Sequence, residues 1–318
     1  MGDIEASAAL PGPPPAAGTA VLFDTFSLVF RAYHALPPMN TSAGDPTSAL
    51  YGFSALLLKI LKERTPAALA FALDAPKRTF RRERYPAYKA QRETVPSPLG
   101  VQLGRLQELL SSLEVPVVCA PGFEADDVLA TLARGLRDQW SGILIVTGDR
   151  DLLQLVDERT RVLFVGARAQ KPTLFDVAQV EERFEVAPGQ LPSWAALVGD
   201  TSDNLPGVPG VGPRTAAKLV RQFDSIPELL QRLEEVQPER VRDALRSHAE
   251  QLRLNEELAR LCCDVPLTPG PLAGALTERG REKLRAAFVE LEFKSLVPRL
   301  DALTFEGADR APGPSLRG

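Results

Sequence analysis

Nine carboxylates are spaced so that a folded chain could deliver them to one place. Asp24 follows the apolar stretch VLF, Asp74 follows AFAL, and Asp149 follows ILIVTG. Glu124, Asp126 and Asp127 open a stretch with helical spacing, EADDVLATLARGL, and Asp151 lies two residues beyond Asp149. Asp200 and Asp203 are three apart, which puts them on one face if that segment is helical. Taken singly, these residues have ordinary structural explanations. An Asp after a strand is often a turn former or helix cap, and acids favour the positive end of a helix. As a set they are harder to explain that way. Carboxylates gathered at one edge repel one another and raise each other's pKa, and bound cations remove that penalty. His34 and His248 are the only histidines, so any metal is held by oxygen, which points to Mg²⁺ or Mn²⁺. Two such ions can activate a water and stabilise a leaving oxygen in phosphodiester cleavage.

Candidates for phosphate binding lie close by. Residues 77–92 carry Lys77, Arg78, Arg81, Arg82, Arg84, Lys89 and Arg92 against one acid, Glu83, with Tyr85 and Tyr88 interleaved. A charge run is usually a solvated face, but this one starts where a negative strand would enter a site built on Asp74. Arg and Lys neutralise phosphates and tyrosines stack on bases. Neither reads sequence, so recognition would follow shape and ends. Arg78, Arg81, Arg82 and Tyr88 are accordingly candidate DNA contacts. The second feature is LPGVPGVGPRTAAKLV, residues 205–220. Gly207, Gly210 and Gly212 permit a tight turn and close backbone approach. Pro213 suits a first helical turn, and amides at such a start can hold a phosphate. A glycine turn alone is commonly structural. Placed just after Asp200 and Asp203 it is a candidate duplex anchor, with Lys218 behind it.

The elements that must position these groups read as an α/β protein. Apolar, β-prone stretches at 21–26, 67–73 and 143–148 alternate with helical spacing at 45–64, 99–114 and 124–136, with a short strand in PVVCAPG. Alternating strands and helices imply a three-layer, mostly parallel sheet. The C-terminal ends of its strands share one edge, where ligands bind in open α/β sheets. Asp24, Asp74 and Asp149 all sit at such ends. Strand signals stop near residue 176, and helical segments run to about 300. The expected organisation is a disordered tail over 1–19, an α/β core over 20–175, a helical lobe over 176–300, and a linker or tail over 301–318.

Composition narrows the function classes. No run approaches the ~18 apolar residues of a membrane span, and the first twenty residues lack the basic and apolar regions of a secretory signal. Cys119, Cys262 and Cys263 show neither a disulfide framework nor a zinc spacing, and read as buried thiols in a reducing cytoplasm. A formal net charge of −4 at first argues against nucleic acid, but setting the nine acids aside leaves +5 for the rest of the molecule, as a phosphate binder requires.

The motifs VLFDTFSLVFRAYHAL, FALDAPKRTFRRERYPAYKAQR, GFEADDVLATLA, VTGDRDLLQLV and GDTSDNLPGVPGVGPRTAAKLV, with ELEFKSL near the end, cover about residues 20–300 in order. They resemble the 5′ nuclease domain of bacterial DNA polymerase I, a relative of flap endonucleases and phage 5′ exonucleases. The resemblance implies a nuclease core of the PIN and flap-endonuclease type, a helical arch at 76–98, and a helical lobe with a helix–hairpin–helix at 200–222. It implies two divalent-metal sites with Asp24, Asp74, Glu124, Asp126, Asp127, Asp149, Asp151, Asp200 and Asp203 as ligands. It makes Lys89 and Arg92 the arch cations near the scissile phosphate, lets Tyr88 stack on a terminal base, and gives the glycine turn a duplex-gripping role, with K⁺ sometimes held there. Departures are small: Thr25 replaces the usual Gly or Ser, Arg150 the usual Lys, and Pro213-Arg214 the usual Glu-Lys. None removes a ligand.

The expected function is therefore that of a structure-specific 5′-3′ exonuclease and 5′ flap endonuclease. Substrates would be flaps, nicked or gapped duplex, and RNA primers on DNA, in replication and repair. The protein would be a monomer of the bacterial cytoplasm at the nucleoid, free-standing or the front of a longer chain, with a DNA polymerase as partner. Two rivals are a PIN-type ribonuclease, which would need neither so many acids nor the hairpin, and an inactive branched-DNA-binding module, against which the complete acid set speaks.

Overall fold

The structure, a computed structural model, describes residues 10, 18–75, 78–91, 94–166, 171–267 and 273–303. Its first half is organised by strands that are apolar at nearly every position, as expected of a parallel sheet covered on both faces. These are β1 (Thr19–Asp24), β2 (Ala68–Ala72), β3 (Val117–Val118), β4 (Gly142–Thr147), β5 (Thr160–Phe164) and β6 (Thr173–Phe175). They lie in the order β3-β2-β1-β4-β5-β6, all parallel except the β5–β6 pair. Side chains alternate between the faces with the period of two that a strand imposes. Ala20, Leu22, Ala68, Ala70, Ala72, Ile143 and Ile145 point into one core. Val21, Phe23, Leu69, Phe71, Leu144 and Val146 point into the other. The Phe23 and Phe71 rings stack there at 4.9 Å.

Helices complete the layers. Before residue 140 they are α1 (Thr25–Ala35), α2 (Ser48–Arg64), α3 (Phe80–Arg84), α4 (Ser97–Ser112) and α5 (Ala125–Leu136). After β6 come α6 (Val177–Phe184), α7 (Leu191–Val198), α8 (Pro213–Phe223), α9 (Ile226–Gln231), α10 (Glu239–Ser247), α11 (Ala249–Ala259), α12 (Glu278–Glu290) and α13 (Val297–Asp301). The alanine-rich face of the sheet is covered by α5, whose Val128, Leu129, Leu132 and Leu136 are buried against it. That core runs on into α7, α8, α9 and α11 through Leu197, Ala216, Val220, Leu229 and Leu252.

The helical lobe does not extend to residue 300 as the sequence suggested. Leu284 and Phe288 of α12 and Leu300 of α13 belong to the opposite core, with Phe53 and Leu57 of α2 and Leu106 and Leu110 of α4. The chain therefore returns to the sheet domain, and Leu69 of β2 exchanges backbone hydrogen bonds with Gly274 on the way. An amphipathic pattern shows that a helix has a buried face, not which core buries it. The cysteines also differ from expectation, since Cys119 is exposed and Cys262 and Cys263 are half-buried free thiols. The expected tail and linker fall mostly outside the described residues; Thr19 already belongs to β1. Among the described residues, no helix is long and apolar enough to cross a membrane.

Candidate active site

Parallel strands β1, β2 and β4 end on one edge, and their turns carry the acids. Asp24 closes β1 and starts α1; it is only 3% exposed and accepts a 2.5 Å hydrogen bond from the Thr147 hydroxyl at the end of β4. The Thr147 oxygen in turn accepts from the Asp149 amide at 2.8 Å, and Asp149 Oδ1 accepts from the Asp151 amide at 3.0 Å. Asp74 lies just past β2 and accepts from the Ala125 amide at 2.9 Å, which ties it to the start of α5. Glu124 stands at that start, with Asp126 in the first turn.

Electrostatics place the acids in one another's field. Burial pushes the Asp24 pKa up to about 7, against the Thr147 bond, and Asp149 and Asp74 raise it further. Asp126 is held well above the usual carboxylate range by burial and then by Asp149 and Asp24. Asp151 is raised likewise by burial, then by Asp149, Asp203 and Asp200. Like charges brought this close disfavour ionisation.

Asp200 and Asp203 reach the edge by a different route from the helix considered for them. They sit in a hairpin between β7 (Gly199–Asp200) and β8 (Leu205–Pro206). Asp200 Oδ1 accepts from the Ser202 amide at 2.7 Å, the Ser202 hydroxyl at 2.6 Å and the Asp203 amide at 3.3 Å, an Asp-led turn that replaces a helical one. The hairpin needs close backbone approach: a Cβ on Gly207 would lie 2.0 Å from the Val198 carbonyl oxygen. Gly210 has φ +81° with open space around it, while Gly212, at φ −88°, leads into α8 with Pro213 at its first position. Lys218 is exposed on α8.

The basic segment lies down on this hairpin. In the region expected to form an arch, the described helix is limited to Phe80–Arg84, with turns through Gln91. The Lys89 amide donates to the Asp203 carbonyl at 3.2 Å, Asn204 donates to the Ala87 carbonyl at 2.8 Å, and Gln91 donates to the Thr201 carbonyl. Lys89 Nζ stands 3.1 Å from Glu124 Oε2 and 3.7 Å from Asp203 Oδ2. Arg78 and Arg82 are exposed, while Lys77 and Arg92 lie outside the described residues.

Three sequence expectations need correction. Tyr88 is buried, and its hydroxyl donates to Asp203 at 2.8 Å with Glu124 at 3.2 Å, so its ring is not available to stack on a base. Burial and the charges of Glu124 and Asp203 raise its pKa. Arg81 is not a surface DNA contact: it is 1% exposed. Asp127 is fully buried and paired with it. Asp127 Oδ2 accepts from Arg81 at 2.5 Å and from the Glu124 amide at 3.2 Å, and Oδ1 accepts from Arg81 at 2.8 Å and from the Cys262 amide at 2.9 Å. A carboxylate has about four lone-pair positions. All are filled, so Asp127 offers none to a metal.

The family model described as "5′-3′ exonuclease, N-terminal resolvase-like domain" matches residues 19–185, and "5′-3′ exonuclease, C-terminal SAM fold" matches residues 186–279. The chain belongs to the 5′-3′ exonuclease family. It is 40% identical over 312 residues to DNA polymerase I of Mycobacterium tuberculosis, covering 98% of this chain and 34% of that one. It thus spans about a third of such polymerase relatives. It is 35% identical over 293 residues to a 5′-3′ exonuclease of Aquifex aeolicus, covering 92% of this chain and 99% of that protein. The phage T5 D15 protein crystallised with metal ions shares the fold, with a TM-score of 0.65 at 17% identity over 90% of this chain and 98% of that one. The catalytic core of Rad2 in complex with DNA substrate does so with a TM-score of 0.59 at 16% identity, over 90% and 92%.

Within this family of metal-dependent nucleases, the donor set fits a divalent cation. Asp24, Asp126 and Asp151 are oxygen donors whose ionisation is opposed by burial and by other acids, a penalty that a cation reverses. Among the described residues no group of three acids surrounds a single point. The ammonium of Lys89 sits between Glu124 and Asp203.

Two residues of this edge escaped the sequence analysis. Thr147 bridges Asp24 and Asp149 through one hydroxyl. Arg31 donates to the Gly148 carbonyl and lies over the Phe164 ring at 5.4 Å. Burial lowers its pKa while Asp149 and Asp24 raise it. Arg31 stands seven residues beyond Asp24, two helical turns, a spacing that returns a side chain to the same face. Recognising α1 would have exposed it.

Proposed function

We propose that this chain hydrolyses phosphodiester bonds at 5′ ends and 5′ flaps, on DNA and on RNA primers paired to DNA, in replication and repair. The product ends would be a 5′-phosphate and a 3′-hydroxyl. The observation that carries this is the placement of Asp24, Asp74, Glu124, Asp126, Asp149 and Asp151 along one sheet edge within one another's electrostatic field, with Lys89 beside Glu124 and Asp203. Asp24, Asp74, Glu124, Asp126, Asp149, Asp151, Asp200 and Asp203 would hold two Mg²⁺ or Mn²⁺ ions. Bound there, such ions supply water activation and charge neutralisation for phosphodiester hydrolysis. Lys89 places a cation where negative charge grows in the transition state, and Arg92 is proposed to join it. Thr147 fixes the orientation of Asp24, and Arg31 holds the Asp149 turn through the Gly148 carbonyl. Exposed Arg78 and Arg82 are placed to neutralise strand phosphates. The Gly207–Gly212 turn and Lys218 would anchor the duplex, with K⁺ at the turn. The setting proposed is the bacterial cytoplasm at the nucleoid, with a DNA polymerase as partner.

The test is cleavage of a labelled 5′ flap beside an unpaired single strand, with and without Mg²⁺. Mg²⁺-dependent cutting near the flap junction is expected. Tight flap binding without cutting would make the chain an inactive branch-binding module, and preference for single-stranded RNA would make it a ribonuclease.

A further inference from the structure

Arg81 is the largest of the fully buried side chains among the described residues, and each of its three guanidinium nitrogens has a hydrogen-bond partner. Nε donates to the Leu258 carbonyl at 2.7 Å, and the two terminal nitrogens grip Asp127 in a two-pronged fork. One terminal nitrogen also reaches the Arg260 carbonyl at 3.1 Å, and the other lies 3.5 Å from Glu124 Oε2. Burial works against the charge of Arg81, but the bonds and charge of Asp127 outweigh it and raise its pKa. Three pieces of chain thus meet at one cation: α3, the start of α5, and the segment leaving α11.

What those pieces carry matters. Seven and eight residues beyond Arg81 are Tyr88 and Lys89, which contact Glu124 and Asp203. The Glu124 amide is bound by Asp127, and its carboxylate is faced by Arg81. We infer that Arg81 and Asp127 are a positioning pair, which sets Glu124 and Lys89 relative to each other while Asp127 itself binds no metal. The pair also ties this register to the helical lobe through Leu258, Arg260 and Cys262. A planar fork suits that task because it fixes direction as well as distance. The inference rests on the nuclease activity proposed above.

The test uses the full 318-residue chain. Removing one partner alone strands a buried charge and threatens folding. The decisive variant is therefore R81M/D127N, in which both charges go together and the amide oxygen introduced at position 127 still serves the Glu124 amide. It is expected to fold with a lowered melting temperature, because the Leu258 and Arg260 carbonyls and the Cys262 amide lose their partners, and to bind Mn²⁺ with wild-type stoichiometry and affinity in a titration without DNA. Its single-turnover rate on a saturating flap should fall about 100-fold, the typical loss when reacting groups are displaced by ~1 Å. Flap affinity in EDTA should be unchanged. R81K, which keeps the charge but not the fork, should show the same split between rate and affinity. D149N, with the same assays, should lose Mn²⁺ binding. A double variant that folds and cleaves at the wild-type rate overturns the positioning role. One that loses an ion overturns the exclusion of Asp127 from the metal. Wild type that neither cleaves nor binds Mn²⁺ would instead refute the proposed function, leaving the two failures distinct.

Discussion

Asp24 allows the strain in the acid cluster to be measured without any substrate. Its pKa is raised from 3.8 to about 7, first by burial and then by Asp149 and Asp74. In the metal-free protein the folded state therefore binds a proton between these values that the unfolded state has released. Folding stability must then fall as pH rises through this window. It is highest below about pH 4, where both states are protonated, and the loss is complete above about pH 7. At about 1.36 kcal/mol for each pKa unit, the cost on the alkaline side is on the order of 4 kcal/mol, or roughly 8 °C in Tm for a chain of this size. Asp126 and Asp151 are raised as well, so the assay is a difference: Tm of Asp24→Asn minus Tm of wild type, by calorimetry in EDTA from pH 4 to pH 8. Asn keeps an acceptor for Thr147 but has no charge to lose. The difference should start near zero and grow in favour of the variant as pH rises. In saturating Mg²⁺ it should reverse, because the wild-type carboxylate then gains a cation. A difference that stays flat across the range would refute the account of Asp24 as a destabilised, buried acid.

Further outcomes follow from the same geometry. Asp149→Asn should lower single-turnover cleavage by several orders of magnitude at unchanged flap affinity; a loss within tenfold, only ~1.4 kcal/mol, would remove Asp149 from the metal site. Lys89→Ala should slow cleavage ~100-fold, a typical loss for one preorganised electrostatic contact, while a fluorescence binding assay finds flap affinity near wild type. Gly207→Ala should depress Tm and all activity together, because its Cβ would meet the Val198 carbonyl at 2.0 Å. Gly210→Ala meets nothing within 4 Å, so beyond a conformational strain of ~1–2 kcal/mol it should weaken duplex binding more than cleavage of a short single strand; equal losses would count against the anchor.

Strands β1, β2 and β4 were legible because they are apolar on both faces and lead into acids, whereas β5 (Thr160–Phe164) and the short antiparallel β6 (Thr173–Phe175) were not read from the sequence. The strand bounds shifted by only a residue or two, as at β2 and β4. What could not be read was tertiary choice. SLVFRAYHA mixes the helix formers Leu28, Arg31, Ala32 and Ala35 with Val29, Phe30 and Tyr33, so propensity alone does not decide for α1; as a helix it buries Leu28 and Val29 in the core. The i, i+3 spacing of Asp200 and Asp203 suits a helix and a tight turn alike. Gly199 and Gly207, packed so closely that any Cβ would collide with backbone, decide for the turn.

Arg81 and Asp127 show the same limit in the site itself. Within FRRER three arginines are chemically identical, and within EADD two aspartates are, so no pattern in either segment singles out the member that goes inside. Only the docking of α3 on α5 does. Once paired, the two remove each other from the electrostatic tally. With Asp127 withdrawn, eight acids remain for the edge, and a net charge of −4 leaves +4 for the rest of the chain. The molecule therefore keeps an acidic edge in a basic frame. What changes is the proposed division of labour in the basic run: exposed Arg78 and Arg82 remain the proposed phosphate contacts, while buried Arg81 is bound to Asp127 and is proposed to hold the frame in which Lys89 is aimed.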